Sequence, residues 1–341
     1  MAGAVARIVR AALCRSHGEP EVVTVADVAA PTLGPGQVRV AVQAAAVNFP
    51  DVLLVAGTYQ IPVPPPFVPG SELAGTVVEV ADDVDALGPG DRVFGSTLVG
   101  AFAEEAVVAA PALTRVPEGV DLAVAAAFGV AHRTAYHVLR SVAGLARGDE
   151  LVVLGAGGGV GSAAVQLGAQ LGATVTAVAS SPEKLAVAQA FGATRLIDHA
   201  AGDLRAELKA AIPTGADVVV DPVGGALSEP ALRSLRWGGR FVTVGYASGE
   251  IPRIPLNLVL LKGVQILGFQ MIDFVTHRPA ERARDEAELL DLLATGRAYP
   301  HIGARFALDD AAAALRYVAD GRAVGKVLLD VAPPSRPEGG G

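Results

Sequence analysis

The amino-acid sequence predicts an α/β protein in which a β-rich first part is followed by a doubly wound parallel sheet. About the first 120 residues combine strand-like alternation with many turn residues. From Ala125 onward, helical stretches alternate with short apolar strands, which is the pattern of a parallel sheet with helices on both faces. In that second part, residues 151–161 predict a buried strand, a glycine-rich turn and the start of a helix.

The first part is predicted from alternation and from turn residues. Val38, Val40 and Val42 occupy every second position, as in a half-buried strand. Residues 88–91, Gly-Pro-Gly-Asp, predict a turn before a further strand. Residues 61–70 are too rich in proline for a helix or a central strand, so they predict an ordered loop of extended geometry.

The second part contains short apolar segments that predict the strands of the parallel sheet. These segments are residues 151–154, 174–179, 195–198, 217–221, 240–245 and 266–269. Two helices at 280–295 and 308–319 and a strand at 326–331 follow them. Residues 333–341 are rich in proline and glycine and cannot build a core, so they are predicted to be a disordered tail.

The glycine-rich turn predicts a dinucleotide phosphate site. Its residues are Ala156, Gly157, Gly158, Gly159, Val160 and Gly161. In register with the fingerprint G-x-G-x-x-G, alanine replaces the first glycine. Glycines let the backbone approach a pyrophosphate, and the start of the following helix offers unpaired N–H donors. Apolar residues at spacings of 4, 3 and 4 support that helix, namely Val160, Ala164, Leu167 and Leu171. The competing interpretation is a flexible turn without a ligand.

The end of the second strand of the parallel sheet predicts which dinucleotide binds. In an NAD site, a carboxylate about 20 residues after the turn accepts hydrogen bonds from the ribose. Here the strand is followed by Ser180, Ser181 and, three residues later, Lys184. Hydroxyls and an ammonium suit a 2′-phosphate, so NADPH is favoured. Two alternatives stay open: Glu183 reaches back to the ribose, or residues 182–184 are the solvated first turn of a helix.

Composition excludes several classes of protein. No run approaches the roughly 18 uninterrupted apolar residues of a membrane span, and Arg7 and Arg10 interrupt the apolar start, so a cytoplasmic protein is expected. The net charge of -8 and the lack of a basic cluster disfavour nucleic acid as a partner. The single cysteine, Cys14, excludes an internal disulfide and a cysteine-rich zinc cluster.

Several segments together carry a family resemblance. They are residues 47–51 (Val-Asn-Phe-Pro-Asp) with 57–59 (Gly-Thr-Tyr), residues 66–75, the glycine-rich turn, residues 221–225 (Asp-Pro-Val-Gly-Gly), residues 244–246 (Val-Gly-Tyr) and residues 325–327 (Gly-Lys-Val). With these segments the chain resembles the medium-chain dehydrogenase/reductase superfamily, and within it the zinc-free NADPH:quinone oxidoreductase branch related to zeta-crystallin. The resemblance spans residues 8–331.

The resemblance implies a domain organisation. A GroES-like catalytic domain is expected at residues 1–124 and 270–332, interrupted by a Rossmann NADPH-binding domain at residues 125–269. Relatives are commonly homodimers that pair through the edge strands of their Rossmann domains. The apolar residues 254–269 lie near that expected edge, although a place in the core explains them equally well.

The resemblance also bears on metal. Zinc-dependent relatives have a cysteine, a histidine and a third ligand where this chain has Asn48, Ser71 and a position near Val130. Asparagine and serine are poor zinc ligands and valine is none, so no metal is expected. Without a metal to lower the pKa of a hydroxyl, alcohol oxidation is disfavoured. The expected reaction is hydride transfer from NADPH to a quinone or an α,β-unsaturated carbonyl.

By resemblance, individual residues receive roles. Tyr59 is a candidate hydrogen-bond or proton donor, or else a wall of the pocket, and Asn48 is a candidate that orients the cofactor or the acceptor. Asp51 and Glu72 are expected to be buried structural hydrogen-bonders. Further cofactor contacts are expected from four residues. Thr134 is expected beside the nicotinamide half, and Gly245 and Tyr246 near the far edge of that half. His199 is expected near the adenosine phosphate.

Two other functions remain open at this stage. An enoyl-thioester reductase would need a basic patch for the phosphate of a carrier, and the sequence does not locate one. A structural protein that binds NADPH with little turnover is the second alternative. Many quinone reductases have an arginine in the stretch where this chain has Val55, which weakens an inference of quinone specificity.

Overall fold

The computed structural model describes residues 7–331, so the tail predicted at 333–341 lies outside the described residues. In chain order the strands are β1 (Ile8–Cys14), β2 (Val23–Ala29), β3 (Gln37–Val47), β4 (Glu72–Val80), β5 (Arg92–Ser96), β6 (Glu105–Ala109), β7 (Leu113–Arg115), β8 (Glu150–Leu154), β9 (Thr174–Ala179), β10 (Arg195–Asp198), β11 (Ala216–Asp221), β12 (Leu235–Thr243), β13 (Gln265–Gly268), β14 (Ile302–Ala307) and β15 (Lys326–Asp330). The helices are α1 (Phe49–Ala56), α2 (Leu122–His137), α3 (Gly159–Gln170), α4 (Pro182–Ala190), α5 (Leu204–Ala211), α6 (Ser228–Arg233), α7 (Leu256–Lys262), α8 (Met271–His277), α9 (Pro279–Ala294) and α10 (Ala311–Ala319). Among these helices, none is long and apolar enough to cross a membrane.

The described elements form two compact units, residues 7–129 with 302–331 and residues 130–301. In the first unit, a seven-stranded sheet has the order β14-β15-β3-β4-β5-β7, with β6 paired to β3, and β1 and β2 form a separate antiparallel pair. Strand β3 carries the predicted alternation, with Val38, Val40 and Val42 all at most 1% exposed. The strands around β3 are antiparallel, which fits the predicted β-rich first part.

The second unit contains the doubly wound parallel sheet that the sequence predicts. Its strand order is β10-β9-β8-β11-β12-β13, and every neighbouring pair is parallel. The central strands are buried on both faces, which explains their continuous apolar sequences. The strand order reverses between β8 and β11, so a ligand crevice is expected at the carboxyl ends of these two strands.

Helix α9 belongs to the second compact unit. The second unit continues to His301, because α9 is held by polar contacts to residues that directly follow the start of that unit. His137 Nδ1 lies 3.0 Å from Asp285 Oδ2, and the Tyr136 hydroxyl donates to Glu288 at 2.7 Å. Sequence periodicity identified this helix correctly, but it carries no information about which unit a helix packs against.

Candidate functional site

In the second unit, the turn between β8 and α3 exposes backbone donors at a helix start. Gly155 has a φ of +60°, and a side chain at Gly161 would collide with the Gly155 carbonyl oxygen, so α3 begins directly against the turn. The Ser162 N–H donates to the Gly158 carbonyl at 2.8 Å. The N–H groups of residues 159–161 precede this first intrahelical bond, and they form the positive end of the helix dipole. This is the geometry that binds a phosphate.

The turn also leaves room for a ligand. A side chain added at Gly158 would meet nothing closer than the Gly155 carbonyl oxygen at 3.5 Å, so the space above this residue is open. Ala156 is fully buried, and its N–H donates to the Val178 carbonyl of β9 at 3.0 Å. The alanine that replaces the first fingerprint glycine is therefore part of the support of the turn. The residues present fit a dinucleotide pyrophosphate.

Lys184 joins the end of β9 to the glycine-rich turn. A side chain at Gly157 would collide with Lys184, whose Cγ lies 2.6 Å from that position. The Lys184 ammonium donates to Ser180 Oγ at 3.2 Å, and the Lys184 N–H donates to Ser181 Oγ at 3.3 Å. Ser181 is thus the N-cap of α4, and Glu183 is exposed. The helix-start interpretation of residues 182–184 is correct, and the same geometry places a hydroxyl and an ammonium beside the turn.

Other predicted cofactor contacts lie around the same edge of the sheet. The His199 N–H donates to the Ala179 carbonyl at 3.1 Å, which places His199 beside the end of β9. Gly245 and Tyr246 follow β12, and Tyr246 is 38% exposed. Thr134 is half-buried on α2. The structure therefore gathers most of the predicted cofactor residues of this unit around the carboxyl ends of β8, β9 and β12, while Thr134 lies on a helix.

In the first unit, Asn48 lies in a buried polar group with Glu72 and Lys326, which we call the Asn48 cluster. The Lys326 ammonium donates to Asn48 Oδ1 at 2.5 Å and to Glu72 Oε2 at 2.9 Å. Asn48 Nδ2 donates to Glu72 Oε2 at 3.1 Å. The three residues are 9%, 1% and 3% exposed, in the order Asn48, Glu72, Lys326. The Asn48 amide is therefore held in one orientation by a buried ion pair.

Asp51 and Tyr59 lie at the two ends of the α1 region. Asp51 is fully buried, and its carboxylate accepts the Asn48 N–H at 2.7 Å. Burial raises the pKa of Asp51 to about 7, against the lowering effect of the Asn48 N–H. Tyr59 is half-buried against the core, and burial, together with the nearby Asp51 charge, raises the pKa of its phenol. Tyr59 therefore keeps its proton at neutral pH.

The residues at the predicted zinc positions do not fit that metal. Asn48 offers one ligating oxygen, and this oxygen already accepts from the Lys326 ammonium. Ser71 offers a neutral hydroxyl, 3.5 Å from Asn48 Nδ2, and Val130 offers no donor in its side chain. Within residues 7–331, no group of three or more histidine, cysteine, aspartate or glutamate residues is arranged to hold a metal ion.

Two features of the site escaped the sequence analysis. Lys326 begins an apolar strand, and nothing in its neighbours shows that its ammonium reaches Asn48 and Glu72. Val223 packs against the glycine-rich turn, since a side chain at Gly155 would meet Val223 Cγ2 at 2.6 Å. Both residues belong to segments that carry the family resemblance. Their place in these segments was the one sign in the sequence that they could belong to the site.

Known proteins match the chain along most of its length. Residues 34–118 match the family described as alcohol dehydrogenase GroES-like domain, and residues 159–294 match the family described as zinc-binding dehydrogenase. The chain is 36% identical over 324 residues to quinone oxidoreductase-like protein 2 homolog of Nematostella vectensis, covering 94% of this chain and 88% of that protein. It is 32% identical to the quinone oxidoreductase from Thermus thermophilus, which was also solved in complex with NADPH, with a TM-score of 0.81 and coverage of 94% and 100%.

A longer protein also matches. The chain is 39% identical over 314 residues to spectinabilin polyketide synthase system protein NorB of Streptomyces orinoci, covering 91% of this chain but 14% of that protein. The full-length matches, together with the GroES-like and parallel-sheet units, decide the family. The chain belongs to the medium-chain dehydrogenase/reductase superfamily, in its zinc-free quinone oxidoreductase branch.

Proposed function

We propose that this chain is an NADPH-dependent, metal-independent reductase that delivers a hydride to a quinone or an α,β-unsaturated carbonyl. The observation that carries this proposal is the position of Lys184, which lies over Gly157 and donates to Ser180 at the end of β9. A hydroxyl and an ammonium at this strand end suit the 2′-phosphate that distinguishes NADPH from NADH. The NADPH complex of the related Thermus thermophilus quinone oxidoreductase supports the same cofactor.

The residues of the second unit bind and orient the cofactor. The N–H groups of residues 159–161 bind the pyrophosphate, and Lys184 with Ser180 binds the 2′-phosphate. Ser181 caps α4 and holds Lys184 in place. His199 would contact the adenosine phosphate, and Thr134, Gly245 and Tyr246 would contact the nicotinamide half. NADPH, when bound, supplies the hydride that reduces the acceptor.

The first unit supplies the polar groups for the acceptor. Hydride addition to the carbon of a quinone or enone develops negative charge on its oxygen, and a proton completes the reduction. Tyr59 donates a hydrogen bond to that oxygen, because its raised pKa keeps the phenol protonated. Asn48 acts as an orienting residue, since its amide is fixed by Lys326 and Glu72.

The proposal is tested by following NADPH absorbance with a panel of acceptors. Wild-type protein is mixed with quinones, enones and enoyl thioesters, in parallel with NADPH and NADH. We expect oxidation of NADPH with quinones or enones and a clear preference over NADH. Tight NADPH binding without oxidation by any acceptor would instead favour the structural protein, and a preference for NADH would refute the role of Lys184.

The second candidate is an enoyl-thioester reductase, and the similarity to a segment of the NorB polyketide synthase protein favours it. An enoyl thioester presents the same α,β-unsaturated carbonyl to a hydride as an enone does. The chemistry at Tyr59 is unchanged, because a thioester carbonyl develops the same charge as an enone. The acceptor panel distinguishes the two candidates. This candidate is favoured if kcat/KM for enoyl thioesters exceeds kcat/KM for simple enones at least tenfold, which corresponds to about 1.4 kcal/mol of transition-state stabilisation.

We also propose that two copies of the chain associate through the β13 edge of the parallel sheet. In the described sheet, β13 pairs with β12 on one side alone, so its outer edge offers backbone groups to a further strand. Leu256, Leu260 and Leu261 of the adjacent α7 are 77%, 81% and 75% exposed. Apolar surface beside an open edge strand is typical of a homodimer interface.

Light scattering during gel filtration tests this association. The double variant Leu260→Glu/Leu261→Glu is expected to be monomeric, because it places charges in the interface. The matched control is Leu196→Glu on β10, a leucine that is 37% exposed at the opposite edge of the same sheet, and it should remain dimeric. A monomeric wild type, or loss of the dimer in the control, would contradict the proposal.

A further inference from the structure

A fully buried carboxylate, Asp221, lies where β11 ends beside the glycine-rich turn. Its Oδ1 accepts the N–H groups of Val223 and Gly224, both at 2.8 Å. Its Oδ2 accepts the hydroxyl of Ser228 at 2.5 Å. One side chain thus fixes the turn at residues 222–225 and ties it to the first residue of α6. Three donors converge on this one side chain, so the turn is held at several points.

The turn that Asp221 fixes contacts two other loops at the same edge of the sheet. Val223 packs against Gly155, and no side chain fits between them. The Ser248 N–H donates to the Val223 carbonyl at 2.9 Å, and a side chain at Gly224 would meet Tyr246 Cδ1 at 2.8 Å. The loop that follows β11 therefore contacts both the loop after β8 and the loop after β12. The contact point is the segment whose conformation depends on Asp221.

We propose that Asp221 is a positioning residue of the dinucleotide site, which holds the glycine-rich turn and Tyr246 in their binding geometry through Val223 and Gly224. This inference rests on the proposed function, because it assumes that the cofactor binds at this edge. Asp221 itself is buried beneath the turn and acts through the residues it bonds. Its role depends on accepting two N–H groups, and an asparagine oxygen can do the same, whereas alanine cannot.

Direct binding of NADPH, measured by isothermal titration calorimetry, tests the inference. Asp221→Ala is expected to weaken NADPH about tenfold or more, because the turn against Gly155 loses its fixed position. Asp221→Asn is expected to stay within about threefold of wild type, since its side chain can still accept both N–H groups and can donate to Ser228. Equal losses in the two variants would overturn the inference and assign the effect to charge.

Asp217 supplies the matched control on the same strand. It lies at the other end of β11, is 5% exposed, and accepts the Glu150 N–H at 2.9 Å while pairing with Arg236. Asp217→Ala is expected to lower thermal stability as Asp221→Ala does, but to leave NADPH affinity within about threefold of wild type. A loss of affinity as large as that of Asp221→Ala would reduce the role of Asp221 to general folding and overturn the inference.

Hydrogen–deuterium exchange of the protein without NADPH separates this inference from the proposed function. In Asp221→Ala, the amides of Val223 and Gly224 and the backbone at residues 155–158 are expected to exchange faster than in wild type. In Asp217→Ala they should exchange as in wild type. Unchanged exchange in Asp221→Ala overturns the positioning role. If wild-type protein fails to bind NADPH while the exchange result holds, the proposed cofactor fails and the positioning of the loops stands.

Discussion

The glycine-rich turn of the second unit and the Asn48 cluster of the first unit are built in opposite ways. The turn uses consecutive residues, offers backbone N–H groups, and works because side chains are missing at Gly155, Gly158 and Gly161. The cluster buries the neutral amide of Asn48, at the N-cap of α1, together with an ion pair between Glu72 of β4 and Lys326 of β15. The turn should therefore be sensitive to added volume, and the cluster to lost charge. Each of the following experiments tests one side of this contrast.

The largest effect is expected from removing the ammonium of the Asn48 cluster. Lys326→Met deprives the buried Glu72 carboxylate of the charge at 2.9 Å and Asn48 of its donor. Breaking a buried pair on one side costs about 3–5 kcal/mol of unfolding free energy. Urea denaturation followed by circular dichroism measures this loss. The double variant Lys326→Met/Glu72→Gln should recover part of it, because it leaves no unpaired carboxylate at position 72.

An exposed ion pair in the same sheet provides the control. Arg305 of β14 pairs with Asp330 of β15, and their side chains are 52% and 35% exposed. Because water screens this pair, Arg305→Met is expected to cost less than about 1 kcal/mol. If Lys326→Met costs no more than Arg305→Met, burial does not make the cluster sensitive to charge, and the contrast with the turn is lost.

The next effect concerns volume in the turn. Gly161→Ala places a methyl group against the Gly155 carbonyl oxygen, so it should lower stability by about 1–3 kcal/mol as well as abolish tight NADPH binding. Gly158→Ala meets only an oxygen at 3.5 Å, at a φ of -88° that alanine adopts freely. It should leave the melting temperature unchanged and weaken NADPH, because its methyl group fills the space of the ligand.

Calorimetry and thermal melts on the two variants separate these results. A Gly158→Ala protein that binds NADPH as tightly as wild type would show that the pyrophosphate does not approach this residue. A Gly161→Ala protein with unchanged stability would show that α3 can move away from the turn without cost. Either outcome would contradict a turn that works through missing side chains.

The cofactor preference tests Lys184, whose side chain lies beside the turn. Lys184→Ala is expected to weaken NADPH about tenfold to a hundredfold and to change NADH little, since a charged hydrogen bond is worth about 1.5–3 kcal/mol. Because the stem of Lys184 packs over Gly157, Lys184→Met is the sharper variant: it keeps the packing and removes the charge. Equal losses of NADPH and NADH in Lys184→Met would indicate that Lys184 supports the turn and does not read the 2′-phosphate.

The contrast between the two regions also explains what the sequence predicts. Strands β9 and β10 match their predicted bounds, and the glycine-rich turn forms as predicted, because local patterns determine both. The Asn48 cluster was missed as a unit, since Asn48 and Lys326 are 278 positions apart and meet only when β15 pairs with β3. The unit to which α9 belongs cannot be read from its local pattern, for a similar reason. The partners of α9, such as His137, are distant in sequence.

The smallest effect is expected at Tyr59, the residue of the first unit proposed to touch the acceptor. Tyr59→Phe removes one hydroxyl and keeps the ring packed against the core. If the phenol bonds the acceptor oxygen as charge develops, kcat and kcat/KM should both fall about tenfold, which corresponds to roughly 1.4 kcal/mol. NADPH affinity should not change.

The pKa of Tyr59 is raised above its ordinary value of about 10, so the ratio of wild-type to variant rates should be constant between about pH 6 and pH 9. A ratio that falls as pH rises within this window would mean that the phenol loses its proton there, contrary to its half-buried position near the Asp51 charge. Unchanged kcat, measured with the chemical step rate-limiting, would make Tyr59 a wall of the pocket and leave solvent as the proton source.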